Sequence, residues 1–204
     1  MDRDCFQILS PSRYAPDGKT IVVLGAPRGG TSVVAGTLRL LGVFMGRDLG
    51  EQYEDPAFKD AWPMIRKTVA ERRAEFSTWG WKLPNTVYFL EGLVEELRNP
   101  HLVVVYRNPL DVAQSSCQWD DVESSFHRLD VPIRHYAKMH AVLGKLVPTL
   151  PCIVYSYERL VLQREAFVRS LADFCGILPT VAQFDQAVSF VDPVRMYQLV
   201  EASP

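Results

Sequence analysis

The stretch that decides the fold is Gly25-Ala26-Pro27-Arg28-Gly29-Gly30-Thr31-Ser32. It follows an apolar, β-branched run, Thr20-Ile21-Val22-Val23-Leu24, which has the composition of a buried strand. It precedes Val33 to Leu41, where apolar residues at Val33, Val34, Leu38 and Leu41 predict a helix that ends near Gly42. A glycine-rich turn between a strand and a helix suits phosphate binding. Glycines let the backbone approach, several N–H groups converge, and the helix N-terminus adds a favourable dipole. The spacing G-x4-G-[TS]-[TS] is that of a P-loop, but Thr31 stands where the lysine belongs. Arg28 is the only cation in the loop.

Working outward, 204 residues predict a single domain spanning 1–204, with an irregular leader over 1–18, a core over 19–178 and a tail over 179–204. At 48% hydrophobic and 23% charged residues the chain has enough apolar content for a full core. A formal net charge of −2 argues against nucleic acid or an anionic membrane as a bulk partner, so any anion site must be a local cluster of positive groups. Cys5, Cys117, Cys152 and Cys175 are scattered without a C-x-x-C pair, which predicts free thiols in a reducing compartment. The charged N-terminus leads into no long apolar run, and the expected location is the cytoplasm.

Gly46 to Pro56 is polar and acidic and reads as a surface loop. Ala57 to Phe76 predicts a helix that Pro63 kinks or resets. Trp79 to Pro84 predicts a second strand, and Asn85 is placed to cap a helix over Thr86 to Arg98. His101 to Tyr106 is apolar on both faces, as a central parallel strand should be. Asn108 and Pro109 predict the cap and first residue of a helix running to about Trp119. A polar connection over Asp120 to Asp130, a helix over Pro132 to Val147, a strand over Cys152 to Tyr155 and a helix over Leu162 to Cys175 complete the core. Thr180 to Pro204 is helical or irregular. Alternating strands and helices predict an α/β fold, a P-loop NTPase-like three-layer α/β/α arrangement around a mostly parallel sheet. Ligands of such sheets lie beyond the C-terminal ends of the strands, where Gly25, Lys82 and Arg107 would gather.

The loop chemistry departs from that of an ATPase. The lysine is gone, and the third strand ends in Tyr106-Arg107 where a carboxylate for Mg²⁺ would be expected. Both departures favour direct cationic binding without a metal. A sulfuryl group carries less charge than a phosphoryl group, and its transfer needs less neutralisation.

Two motifs carry a family resemblance. Gly25 to Ser32 resembles the 5′-phosphosulfate loop of sulfotransferases that use 3′-phosphoadenosine 5′-phosphosulfate (PAPS). Val105-Tyr-Arg-Asn-Pro-Leu-Asp-Val-Ala-Gln-Ser115 resembles that family's 3′-phosphate motif, an Arg after a strand and a Ser eight residues on. Trp81-Lys82-Leu83-Pro84 is similar to the Lys-x-Pro segment of tyrosylprotein-type and many bacterial members. Tyr155 to Val161, and then Phe174 to Ile177, resemble the segment that follows. The resemblance implies that Arg28 and Lys82 neutralise the sulfuryl group, and that Gly29, Gly30, Thr31 and Ser32 hold the 5′-phosphate. It implies that Arg107 and Ser115 hold the 3′-phosphate, and that the product is 3′-phosphoadenosine 5′-phosphate (PAP), without a metal. Arg195, in a segment similar to the close of bacterial members, would stand in for the absent Arg-Lys-Gly motif. The acceptor would be a hydroxyl or amine of a small molecule or glycan. Its general base is expected in the acidic loop, at Glu54 with Glu51 and Asp55 behind it, and His127 is a rival. His101, His135 and His140 read as surface or satisfied histidines. Trp62, Trp79, Trp81 and Trp119 either pack in the core or stack on a ligand. The alternatives are a non-catalytic nucleotide-binding or partner protein with a degenerate fold, and a P-loop kinase or NTPase.

Overall fold

A computed structural model describes residues 4–12, 17–117 and 125–192, with the side chains of 117–128 left aside. Five strands form one sheet: β1 (Phe6–Ser10), β2 (Thr20–Leu24), β3 (Trp79–Lys82), β4 (Pro100–Tyr106) and β5 (Cys152–Ser156). The spatial order is β1-β5-β4-β2-β3. β2 pairs in parallel with β3 and β4, and β4 in parallel with β5, while β1 adds to β5 antiparallel with Phe6 opposite Tyr155. The helices are α1 (Thr31–Leu40), α2 (Trp62–Glu75), α3 (Leu90–Leu93), α4 (Pro109–Cys117), α5 (Ser125–Leu146), α6 (Tyr157–Leu160), α7 (Arg164–Cys175) and α8 (Val181–Phe190).

Every residue of β2 is fully buried, because both sheet faces are covered. Ile21, Val23, Val103, Val105 and Ile153 point into one core shared with α1 and α7, where Phe190 of α8 also packs. Val22, Leu24, Leu102 and Val104 point into a second core with Trp79, Trp81 and the Met139 and Val142 face of α5. The result is the three-layer α/β/α arrangement expected from the alternation of elements. β2 and β4, side by side in the sheet, place Gly25 and Arg107 at one edge.

Several local expectations change. The leader contains β1, a strand whose partner lies almost 150 residues away, so no local pattern announces it. Pro63 neither kinks nor resets a helix: Pro56–Phe58 is a separate 3₁₀ turn, and Pro63 sits in the first turn of α2, where its missing N–H costs nothing. The helix expected over Thr86 to Arg98 is instead a 3₁₀ turn (Pro84–Tyr88), the short α3 and another 3₁₀ turn (Val94–Glu96). Its buried residues Val87, Leu90 and Leu93 recur every three positions, the period of a 3₁₀ helix. Asn85 caps nothing, since Leu83 precedes that turn. The connection expected over Asp120 to Asp130 is helical from Ser125, and Pro132 lies inside α5. Burial of Tyr136, Met139, Val142 and Leu146 holds this helix in spite of the lost N–H. In the tail, Thr180 and Gln183 form a capping box that opens α8.

The acidic stretch Gly46 to Pro56 lies at the surface, with Arg47, Asp48, Glu51 and Gln52 exposed, but it is anchored in the interior. Tyr53 and Asp55 are fully buried. The Asp55 amide donates to the Lys82 carbonyl at 3.1 Å, its Oδ1 caps Ala57 N–H at 3.1 Å, and its other oxygen is ion-paired with buried Arg72. Tyr53 meets Phe190 edge-on at 6.1 Å. Breaking a buried pair leaves an uncompensated charge, so Asp55→Ala should lower unfolding free energy by about 3–5 kcal/mol in urea titrations. A loss under about 1 kcal/mol, the level of exposed pairs, would contradict this role.

Candidate active site

The glycine loop closes through a bond from Gly29 N–H to the Ala26 carbonyl at 2.9 Å. The Gly29 amide is thereby used within the turn, and the amides of Gly30, Thr31 and Ser32 stand at the start of α1. Arg28 has φ +62° and Gly30, the N-cap, φ +91°. Gly30 is required twice over, since a Cβ there would also lie 2.1 Å from Cδ2 of Tyr157. α1 has no side-chain cap and no acidic residue in its first turn, so its positive end is uncompensated from within. Thr31 is buried with its methyl against Gly25. Ser32 turns its hydroxyl to the Gln52 carbonyl at 2.9 Å.

Arg28, Arg107 and Ser115 come together from three loops and helices. Arg28 Nε donates to Ser115 Oγ at 3.3 Å, and Arg107 Nη1 donates to the Arg28 carbonyl at 3.1 Å. Asn108 caps α4 as expected, accepting from Leu110 N–H at 2.9 Å, and so fixes the helix that carries Ser115. The Arg107 guanidinium lies 4.7 Å from the centre of the Tyr157 ring. Its Nε is buried without a hydrogen-bond partner. Burial lowers the Arg28 pKa, and neighbouring Arg107 lowers it further. An anion would relieve both arginines.

Lys82 ends β3 and is only 2% exposed. Its ammonium donates to the Gln52 carbonyl at 2.9 Å and to Glu54 Oε1 at 3.4 Å. Burial pulls its pKa down to about 8, against the opposing pull of Glu54. The Gln52 carbonyl thus ties Ser32 and Lys82 to one point of the acidic loop. Glu54 also binds Lys59 at 2.8 Å, and although burial pushes its pKa up, the two lysines hold it below the ordinary carboxylate value. Glu51 is exposed, and Asp55 is committed to Arg72 and the Ala57 cap.

The other expected residues are placed as follows. His101 lies at the opposite sheet edge, bonded to Ser12 Oγ at 3.0 Å and the Asn99 carbonyl at 2.7 Å. Trp79 and Trp81 are core residues, Trp81 stacked on Phe58 at 4.3 Å with its Nε1 donating to Thr86. Trp62 is part-exposed against Phe89. Arg195, Trp119 and the His127 side chain lie outside the described residues. Among the described residues no group of three or more His, Cys, Asp or Glu side chains is placed to hold a metal, and Cys5, Cys152 and Cys175 are buried free thiols. No helix of the described residues is long and apolar enough to cross a membrane. Two contributors escape sequence reading. Tyr157 gives no local signal of its contact with Gly30, and Tyr136, whose hydroxyl bonds both backbone groups of Arg107, sits in a helix face that reads as ordinary core.

A profile of the Sulfotransferase family matches residues 51–179, well over half of the chain. The chain belongs to the sulfotransferase family. Solved structures extend the likeness over more of the chain. The sulfotransferase domain from the curacin biosynthetic pathway superposes with a TM-score of 0.57 at 17% identity, over 83% of this chain and 77% of that one. The sulfotransferase domain of the Synechococcus PCC 7002 olefin synthase gives 0.57 at 18% identity, over 85% and 78%. The mouse sulfotransferase SULT7A1 complexed with PAP gives 0.57 at 13% identity, over 90% of this chain and 66% of that one. At these identities the likeness is one of fold. No curated protein sequence matches this chain.

In this sulfotransferase the Lys82 ammonium should titrate near pH 8, followed by NMR of a lysine-labelled sample. Glu54→Gln should lower that midpoint further, because Glu54 favours the charged form. An unchanged midpoint would disconnect the two groups.

Proposed function

We propose that this sulfotransferase moves a sulfuryl group from PAPS to a hydroxyl or amine of a small-molecule or glycan acceptor, releasing PAP. The observation that carries this reading is the convergence of Arg28, Arg107 and Ser115, with Arg107 Nε buried and unpartnered. A 3′-phosphate is the anion that distinguishes PAP from ATP, and it suits a serine and an arginine held side by side. The amides of Gly30, Thr31 and Ser32, at the uncompensated end of α1, suit the 5′-phosphate.

In the transfer the acceptor oxygen or nitrogen bonds to sulfur as the bond from sulfur to the 5′-phosphate oxygen breaks. The electron pair leaves with the phosphate. Arg28 and Lys82 are the cations assigned to the charge that develops there. Glu54 is assigned the acceptor proton. While it is paired with Lys59 and Lys82 its basicity is low. Drawing Lys82 toward an incoming sulfuryl group removes one of these partners and raises that basicity. The structure therefore supports a coupling of sulfuryl binding to base activation.

Ligand-induced thermal shifts test the donor, since binding to the folded state alone raises apparent stability. PAP should stabilise the protein without Mg²⁺, and ATP should not; a preference for Mg²⁺ and ATP would overturn the reading. Arg107→Ala should weaken PAP by about 10- to 100-fold, the scale of a charge-assisted hydrogen bond, and spare adenosine 5′-monophosphate. Equal losses would remove Arg107 from the 3′-phosphate site. Lys82 must be cationic, so kcat/KM should fall as pH rises through about 8, and Lys82→Arg should extend the active range upward. An alkaline limb unmoved by Lys82→Arg would assign it to another group.

A further inference from the structure

Between the end of β4 and the first turn of α4, the chain leaves one regular element before it enters the next. The register of β4 with β5 ends at Tyr106 opposite Ser156, and α4 begins at Pro109. Side chains from elsewhere close the backbone groups in between. The Tyr136 hydroxyl, from α5, accepts from the Arg107 N–H at 3.1 Å and donates to the Arg107 carbonyl at 2.8 Å. Glu158, from α6, accepts from the Asn108 N–H through Oε1 at 2.6 Å. Its Oε2 accepts from the Ser156 hydroxyl at 3.0 Å, which ties the carboxylate to the end of β5. Three successive backbone groups are thus held by two side chains on opposite sides of the segment.

The two tethers differ in strength. Tyr136 is buried and packs against the Tyr106 ring at 5.3 Å, so its hydroxyl cannot swing away without opening the core. Burial raises its pKa, and the phenol keeps the proton that it donates. Removing the hydroxyl would strand a donor and an acceptor together. Glu158 is only half-buried, and water can replace part of its bond. An arginine has many rotamers, and its guanidinium returns to one place only when its backbone is fixed and its plane supported. Tyr157 supports the plane of Arg107. Tyr136 and Glu158 fix the backbone beneath it.

We propose that Tyr136, with Glu158 as a second tether, is a positioning residue that holds Arg107 for the 3′-phosphate and so sets the preference for a 3′-phosphorylated nucleotide. This rests on the PAPS reading above. The Tyr136 proton and both Glu158 oxygens are already engaged, so the pair acts through Arg107 and not on a ligand. An Arg107 already in place loses less conformational freedom when the anion arrives. A nucleotide without a 3′-phosphate does not draw on that advantage, and its affinity is set at the glycine loop.

The test uses the full chain and calorimetric dissociation constants for PAP and adenosine 5′-monophosphate. Tyr136→Phe should weaken PAP by about 10-fold, the scale of a buried hydrogen bond, and the monophosphate by about twofold or less. In an Arg107→Ala background the same change should cost PAP less than about twofold further, because the group it positions is gone. Glu158→Ala, at the surface, tests the same segment without disturbing the core and should weaken PAP by about threefold. Glu158→Gln keeps an accepting oxygen and should bind PAP within about twofold of wild type. Equal losses of both nucleotides in Tyr136→Phe, in step with a lower melting temperature, would overturn the proposal and leave a packing role. Additive losses from Tyr136→Phe and Arg107→Ala would show that Tyr136 does not act through Arg107. A Glu158→Gln protein as weak as Glu158→Ala would remove the second tether. If the wild-type protein binds no PAP, the PAPS reading fails and this proposal with it; if Tyr136→Phe binds PAP as tightly as wild type, the positioning role alone is lost.

Discussion

The ring of Tyr157 is the contact on which the site's layout depends. One face of that ring carries the Arg107 guanidinium, and its edge fills the space where residue 30 would have a Cβ. The turn between strand and helix must therefore be glycine at that point for steric as well as conformational reasons. The same ring joins the ends of three parallel strands, since Gly30 follows β2, Arg107 follows β4 and Tyr157 follows β5. A cation laid on an aromatic face loses less than one left bare in a partly buried pocket. Tyr157 thus lets Arg107 wait beside Arg28 although both are positive.

A second node balances it on the other side of the loop. The Gln52 carbonyl, a neutral group, gathers the Ser32 hydroxyl and the Lys82 ammonium. Because Tyr53 and Asp55 are anchored in the interior, this carbonyl is not free to drift. The acidic loop is a structural clamp in which Asp55 is paired with Arg72 and Glu54 faces the lysines. Cationic groups thus lie on both flanks of the glycine loop, Arg107 against an aromatic ring and Lys82 between a carbonyl and the Glu54 carboxylate.

Much of this was legible in the sequence where the signal is local. Glycine spacing after a β-branched run, the Asn108-Pro109 cap and the apolar strand at Leu102 to Val105 each declare their conformation within a few residues. The family and the three-layer fold follow from them, and the family profile and solved structures agree. The roles assigned to individual residues remain proposals, yet the structure does bring Arg28, Arg107 and Ser115 together. What the sequence hid depends on contacts across the chain. Glu51 to Asp55 looks solvated by composition, yet Tyr53 and Asp55 within it are buried against Phe190 and Arg72, which lie elsewhere. Val87, Leu90 and Leu93 fit a helix by propensity, and only packing selects the three-residue period. Tyr136 cannot be distinguished from a core residue until Arg107 is seen beside it.

The antiparallel edge strand has a consequence for how the chain is made. Phe6 pairs with Tyr155, so the first of the five described strands to be synthesised pairs with the last of them. The parallel strands between them can collect around β2 as they emerge, but β1 must wait until β5 is complete. Closure over so long a separation is slow compared with local pairing. Until it happens the open side of β5 offers unpaired backbone to other chains. The period of greatest risk for aggregation thus falls late, when the phosphate loops can already be in place and only the sheet's border is missing.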